Sequence, residues 1–250
     1  MGYALYETNT SEIDDMDWED NNCRVYSFDT RKEIGKDNGG SNRNNKYRKL
    51  KATHPIKSLE DIQKIKNYFD GLEVDRYKTK FRNKLLFVLG INIGLRCNDL
   101  VNLKWDKVFD KDREFYDGMT VLEGKTGKLR DIVYTDNLKN IFNEYLNNME
   151  IDRQDIDLDS YIFATRQSPH ITVDAVSKML KTTLKEVGLT GSNWSSHLLR
   201  KTYAYWLYQN SEYDIALVMK MLNHSSQAIT LRYIDVVSED VIKASQLVNL

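Results

Sequence analysis

The stretch MTVLEGKTGKLRDIVYT, residues 119–135, decides the fold class. Its Gly-Lys-Thr is the tail of a P-loop, which would make the chain an α/β nucleotide-binding protein. The spacing G-x-x-x-x-G-K-[ST] demands glycine at 119, where Met119 stands, and Gly118 is one residue early. A P-loop also runs from a strand into a helix. Here KLRDIVYT continues as a second strand through Leu129, Ile132 and Tyr134. The pattern is strand, turn with Gly127, strand, and it puts Lys125 at the bend of a hairpin. This argues against a nucleotide partner and leaves a lysine that can face some other phosphate.

On both sides of the hairpin the periodicity is helical. Ser58 is placed to cap a helix through SLEDIQKIKNYF, with acids in its first turn. A second helix through FRNKLLFVLGINI stops at Gly94, and a short one, CNDLVNL, follows. Strands are expected at 105–109, 114–123 and 128–134. Beyond them come helices in DNLKNIFNEYLNNM, TVDAVSKMLKTTLKEV, SSHLLRKTYAYWLYQN and YDIALVMKML, around 226–234, and in a terminal EDVIKASQLV. The expected fold is α+β: mostly helix with a small three-stranded antiparallel sheet, one domain over 55–250. Residues 1–54 hold no sustained period, and IGKDNGGSNRNNKYRK is linker-like, so this segment is expected to be disordered or partly ordered.

The formal charge of -1 hides an asymmetry. The first 20 residues carry seven acids and no Lys or Arg, which leaves 36 basic against 30 acidic residues in the rest, a net of +6. A basic body permits nucleic-acid binding. Two cysteines outside C-x-x-C spacing predict a reduced compartment, and four histidines without H-x-x-x-H or H-E-x-x-H spacing predict no structural metal. The longest nearly apolar run, LLFVLGINIGL, has 11 residues against the roughly 20 that span a bilayer. A cytoplasmic protein, with no membrane partner, is expected.

Taken singly, the residues that could carry chemistry also fit ordinary roles. Arg96 suits a helix junction, hydrogen-bonded to carbonyls. His197 and Arg200, three apart, share one helix face, with Leu199, Tyr203 and Trp206 opposite; alone they read as a satisfied histidine and a surface arginine. His224 suits a helix end, beside Asn223 and a new cap at Ser225 or Ser226. Tyr233 is one of 15 tyrosines.

Their joint order is more specific. GLRCNDLVNL, GKTGKLRDIVY, SSHLLRKTYA and MLNHSSQAITLRYI together resemble the tyrosine recombinase (phage integrase) family. They match its first arginine box, its hairpin lysine, its H-x-L-R-H-T box and its L-G-H-x-x-x-x-T-x-x-Y box. The resemblance spans 55–250 and implies catalytic roles for Arg96, Lys125, His197, Arg200, His224 and Tyr233. Lys128 is the fallback for Lys125. It implies a mostly helical catalytic domain that cleaves and rejoins double-stranded DNA through a 3′-phosphotyrosyl ester, without cofactor, metal or ATP. Lys201, Asn223 and Asp235 depart from the family's usual histidine, glycine and histidine. The family's amino-terminal DNA-clamp domain is expected to be absent or reduced. Lys178, Lys181 and Lys185 share one helix face that suits DNA phosphates or simply solvent. The terminal helix, by resemblance, would join a homotetramer on DNA. Two alternatives stay open: a DNA-binding accessory protein that kept the residues without the activity, and an enzyme like the type IB topoisomerases.

Overall fold

Fifteen residues from Thr79 to Ile93 form the helix on which the others are laid (α2). Its second half, Leu85 to Gly90 and Ile93, is buried all round, so it can only run through a core. In the computed structural model the described residues are 53–76, 78–190 and 193–235. The expectations for residues 1–52 and for EDVIKASQLV lie outside them.

Before α2 comes α1 (Leu59–Gly71), where the Ser58 hydroxyl accepts from Asp61 N at 3.2 Å and Ile62, Ile65 and Phe69 face inward. After it come α3 (Cys97–Val101), β1 (Gly118–Leu122), β2 (Leu129–Val133), α4 (Asp136–Met149), α5 (Val173–Glu186), α6 (His197–Asn210), α7 (Ile215–Leu222) and α8 (Gln227–Ile234). Thr135, Thr172 and Asp214 cap α4, α5 and α7 through their side chains. α2 packs against α1, α4 and α6. A Cβ on Gly90 would stand 2.8 Å from Leu199 Cδ1, so glycine sets how closely α6 approaches α2.

The sheet differs from expectation. Among the described residues it has two strands, β1 and β2, antiparallel, with Gly118 opposite Val133 and Leu122 opposite Leu129. The expected strand at 105–109 is instead a 3₁₀ turn over Trp105–Lys107, and Phe109 keeps one isolated bridge to Phe115. Trp105, Val108 and Phe109 are all buried. Burial at i, i+3 and i+4 is a helical spacing, which a strand cannot satisfy on one face.

Among the described residues the core has two parts. The large one includes Phe69, Phe87, Phe142 and Phe163. The smaller, Ala204, Val218, Leu222 and Ile234, joins α6, α7 and α8 with Tyr203 and Tyr233 against it. No described helix is long and apolar enough to cross a membrane.

Candidate active site

The end of α2 organises the site. Gly94 terminates the helix at φ 58, and a Cβ there would lie 2.1 Å from Tyr203 Cδ1, so only glycine fits. The last carbonyls of a helix carry partial negative charge and attract cations. Arg130 donates to Gly94 O (2.7 Å) and Ile93 O (2.5 Å), and Arg200 donates to Gly94 O (3.0 Å) and Leu222 O (2.6 Å). Arg200 is 2% exposed. The alternative of a surface arginine is therefore overturned: on α6 the arginine is more buried than Tyr203 or Trp206.

Between the arginines lies Glu123, at 0% exposure, just past the end of β1. Its Oε1 accepts from Arg200 Nη1 at 3.1 Å and lies 3.9 Å from Arg130 Nη1. Its Oε2 accepts from Thr126 Oγ1 (3.1 Å) and Asn223 Nδ2 (3.2 Å) and stands 2.8 Å from Arg96 Nη1. That last pair is a charge contact rather than a directed hydrogen bond, since Arg96 Nη1 has no hydrogen-bond partner in good geometry. Burial by itself would raise the Glu123 carboxyl, but Arg200 and Arg96 outweigh it and hold it down at about 2. It is a carboxylate at any working pH. Among the described residues Arg200 Nε likewise makes no directed hydrogen bond.

Tyr233 stands in the last turn of α8. Its hydroxyl is 3.3 Å from His197 Nδ1, and its ring meets the His224 ring edge-on with centroids 4.9 Å apart. His224 follows Asn223, whose φ of 53 is left-handed. That explains the family's glycine here, and asparagine is among the few side chains that tolerate the conformation. Burial first, then Arg200 and Arg96, push His224 down to about 4, so it is neutral near pH 7. Its Nδ1 is 2.9 Å from Thr230 Oγ1. The Lys201 ammonium lies 5.3 Å from the centre of the Tyr233 ring, and burial lowers its pKa.

Five of the six sequence-predicted residues thus form one connected cluster: Arg96 and Arg200 through Glu123, and Arg200, His224, Tyr233 and His197 by adjacency. Lys125 stands exposed on the turn between β1 and β2, with Glu123 and Thr126 anchored on either side. Gly124 N donates to Asp99 Oδ1 at 3.0 Å, tying that turn to α3. Lys128 is exposed in the same turn. Lys178, Lys181 and Lys185 are exposed on α5, away from the buried Val176, Leu180 and Leu184.

The segment ahead of α1 clasps the cluster from outside. Ile56 N donates to Thr202 Oγ1 (3.0 Å) and Trp206 Nε1 to Ile56 O (3.0 Å). Asp235, which ends α8 at φ 55, contacts His54 Nδ1 (3.0 Å) and Lys57 Nζ (3.1 Å). Among the described residues no three His, Cys, Asp or Glu side chains gather as a metal site would require.

The profile of the phage integrase family matches residues 58–239. The chain belongs to the phage integrase family. It is 34% identical over 197 residues to the probable integrase/recombinase YoeC of Bacillus subtilis strain 168, which covers 78% of this chain and 96% of that one. It is 30% identical over 186 residues to the tyrosine recombinase XerC of Caldanaerobacter subterraneus subsp. tengcongensis, covering 74% of this chain and 48% of that one. Among solved structures, the XerH site-specific recombinase bound to its difH substrate superposes with a TM-score of 0.56 at 22% identity, over 76% of this chain and 52% of that one. The chain therefore spans nearly all of YoeC but about half the length of the XerC and XerH proteins it matches. Its mostly helical fold with a small antiparallel sheet is that of the family's catalytic domain.

Glu123, Arg130 and Asp99 were missed from the sequence. A signal for two of them exists: alternation along the hairpin places Met119, Val121 and Glu123, and opposite them Arg130 and Ile132, on the inward face. A charge on an inward-facing strand position has to have a partner.

Proposed function

We propose that residues 55–250 are the catalytic domain of a site-specific tyrosine recombinase that cleaves and rejoins double-stranded DNA. The observation that supports this most is the convergence of Arg96 and Arg200 on one carboxylate, beside a tyrosine hydroxyl 3.3 Å from a histidine nitrogen. Attack on a phosphodiester gathers charge on the non-bridging oxygens, and two permanently charged, fork-shaped guanidiniums suit those oxygens. The Tyr233 oxygen forms the new bond to phosphorus while the bond to the 5′-oxygen breaks. The phenol's ordinary pKa is about 10, so it needs an acceptor for its proton, the role given to His197. Lys125, on the hairpin turn, protonates the departing 5′-oxygen, and His224 contacts a phosphate oxygen. The 3′-phosphotyrosyl ester keeps the bond energy, and the free 5′-hydroxyl reverses the step without a nucleotide.

In this reading Lys178, Lys181 and Lys185 hold backbone phosphates, four copies assemble on DNA through the segment after α8, and the protein works in the cytoplasm. The experiment is a DNA duplex nicked beside the scissile phosphate, so that the short leaving strand diffuses away and traps the ester. The wild-type chain should give a protein–DNA adduct stable to denaturation, and Tyr233→Phe should bind the same DNA and give none. An adduct with the phenylalanine variant would remove Tyr233 from the chemistry.

A further inference from the structure

Five segments carry the residues of the site: the α2–α3 junction with Arg96, the hairpin with Lys125, α6 with His197 and Arg200, the α7–α8 link with His224, and α8 with Tyr233. One side chain touches the first four. Glu123 belongs to the hairpin, contacts Arg96 and Arg200, and accepts from Asn223, the neighbour of His224. The Asn223 amide also donates to Leu129 O at 3.3 Å, which fastens the α7–α8 link to the hairpin on both sides of the Lys125 turn. Glycine at 223 would fit the same backbone but could make neither bond.

The charge balance points the same way. Arg96, Arg130 and Arg200 bring three guanidiniums around a single buried carboxylate. The local surplus of two positive charges matches the dianionic transition state of a phosphodiester attacked by an oxygen nucleophile. Like charges in a dry pocket repel strongly, and the pair least able to resist is the one with an exposed member. The Arg96 side chain is 20% exposed, Arg200's 2%. Without the carboxylate, Arg96 is the guanidinium that swings out to water.

We propose that Glu123 is a positioning residue for strand cleavage, holding Arg96 and Arg200 convergent on the scissile phosphate and fixing the turn that carries Lys125. The role rests on the recombinase reading and extends it to a residue that touches no DNA. Its Oε1 and Oε2 are occupied by protein donors, and the carboxylate lies wholly out of solvent beneath the guanidiniums. It is a floor for the phosphate pocket.

The test is single-turnover adduct formation on the nicked duplex, with DNA affinity measured in parallel, for wild type, Glu123→Gln and Glu123→Asp. Glutamine keeps the shape and loses the charge. Its cleavage rate should fall about 100-fold, the scale of a reacting group misplaced by an ångström. Its DNA affinity should hold or tighten, because a negative charge has gone from beneath the phosphate. Aspartate keeps the charge but is one methylene short, so its rate should fall between the two at unchanged affinity. A purely structural glutamate would lower thermal stability and leave the rate of folded protein alone. If glutamine at this position prevents folding, the aspartate variant decides: a rate below wild type at equal affinity supports the role, and a wild-type rate overturns it. Faster cleavage by either variant overturns it too, since Glu123 would then be competing with the phosphate. Wild type giving no adduct overturns the recombinase reading itself. Wild type giving an adduct that Glu123→Gln matches overturns the positioning role alone.

Discussion

Replacing Arg200 by lysine separates charge from geometry. The guanidinium makes three hydrogen bonds, to Gly94 O, Glu123 Oε1 and Leu222 O, between 2.6 and 3.1 Å, from a side chain 2% exposed. An ammonium can keep the contact with Glu123 and one carbonyl. It loses the third bond and the Nε–H that makes no hydrogen bond among the described residues. A hydrogen bond to a charged group is worth about 1.5–3 kcal/mol, so Arg200→Lys should cost roughly that and lower Tm by about 4–10 °C in a domain of this size. A domain with about 5–15 kcal/mol of stability remains folded at 25 °C after such a loss. The stability change therefore cannot account for a change in rate at that temperature. Losing one preorganised donor to a developing oxyanion costs about 10²–10³ in rate. The assay is single-turnover adduct formation at 25 °C with circular dichroism on the same samples. Cleavage within about threefold of wild type, in a folded variant with the expected drop in Tm, would show that Arg200 only braces the ends of α2 and α7.

Three further outcomes follow from the same contacts. Changing Lys178, Lys181 and Lys185 together to Ala should leave Tm unchanged and flatten the salt dependence of DNA binding, each lost phosphate contact removing about 0.9 from the log–log slope; an unchanged slope would mean the face only meets solvent. Gly94→Ala should lower Tm by at least about 4 °C, because φ 58 is strained for alanine and the Cβ strikes the Tyr203 ring. Adding Tyr203→Leu should restore part of that loss, and no recovery would assign the whole cost to the backbone. His224 titrates at about 4 in the folded chain against 6.5 unfolded, so below pH 6.5 the unfolded state takes up the proton first. Stability should fall between pH 6.5 and about 4 in the wild type, and this component should be missing in His224→Gln when melts are compared across pH. Glu123 acts in a lower window: its contribution is whole above pH 4.5 and is lost toward about 2. Identical wild-type and His224→Gln profiles above pH 4.5 would refute the assignment to His224.

The elements that the sequence made plain are those whose signals are local. Ser58 before an amphipathic run, Gly94 after an apolar one and Gly127 between two alternating segments each act within a few residues, and the structure has the helix, the helix end and the turn at those places. The 105–109 segment misled because five residues are too few to tell a period of two from one of three or more. Trp105, Val108 and Phe109 fit either until a neighbouring layer shows that all three are buried. The four boxes were legible through their resemblance, in joint order, to those of the phage integrase family, yet their meeting point was not. Arg130 and Arg200 come together on Gly94's carbonyl, and Arg96 joins Arg200 because Glu123 lies between them, and neither fact is local in sequence.

The departures from the family's usual residues gain a physical sense from those long-range contacts. Asn223 stands where backbone conformation favours glycine, and it spends its amide on Glu123 and Leu129. Asp235 stands where histidine is frequent, and its carboxylate and carbonyl hold the Lys57 ammonium, its carboxylate also His54. Each substitution adds a tie at one end of a short helix, α7 or α8, in the smaller core cluster against which Tyr233 packs. Eight residues each, these helices have little cooperative stability of their own and depend on tertiary contacts. The Asn223 tie reaches the hairpin and the Asp235 tie reaches the segment before α1. Tyr233 is thus coupled both to the hairpin and to the segment before α1. On the proposed recombinase reading, anchoring the ends of these two short helices while leaving Tyr233 part-exposed reconciles a fixed geometry for the phenol with access to a phosphate.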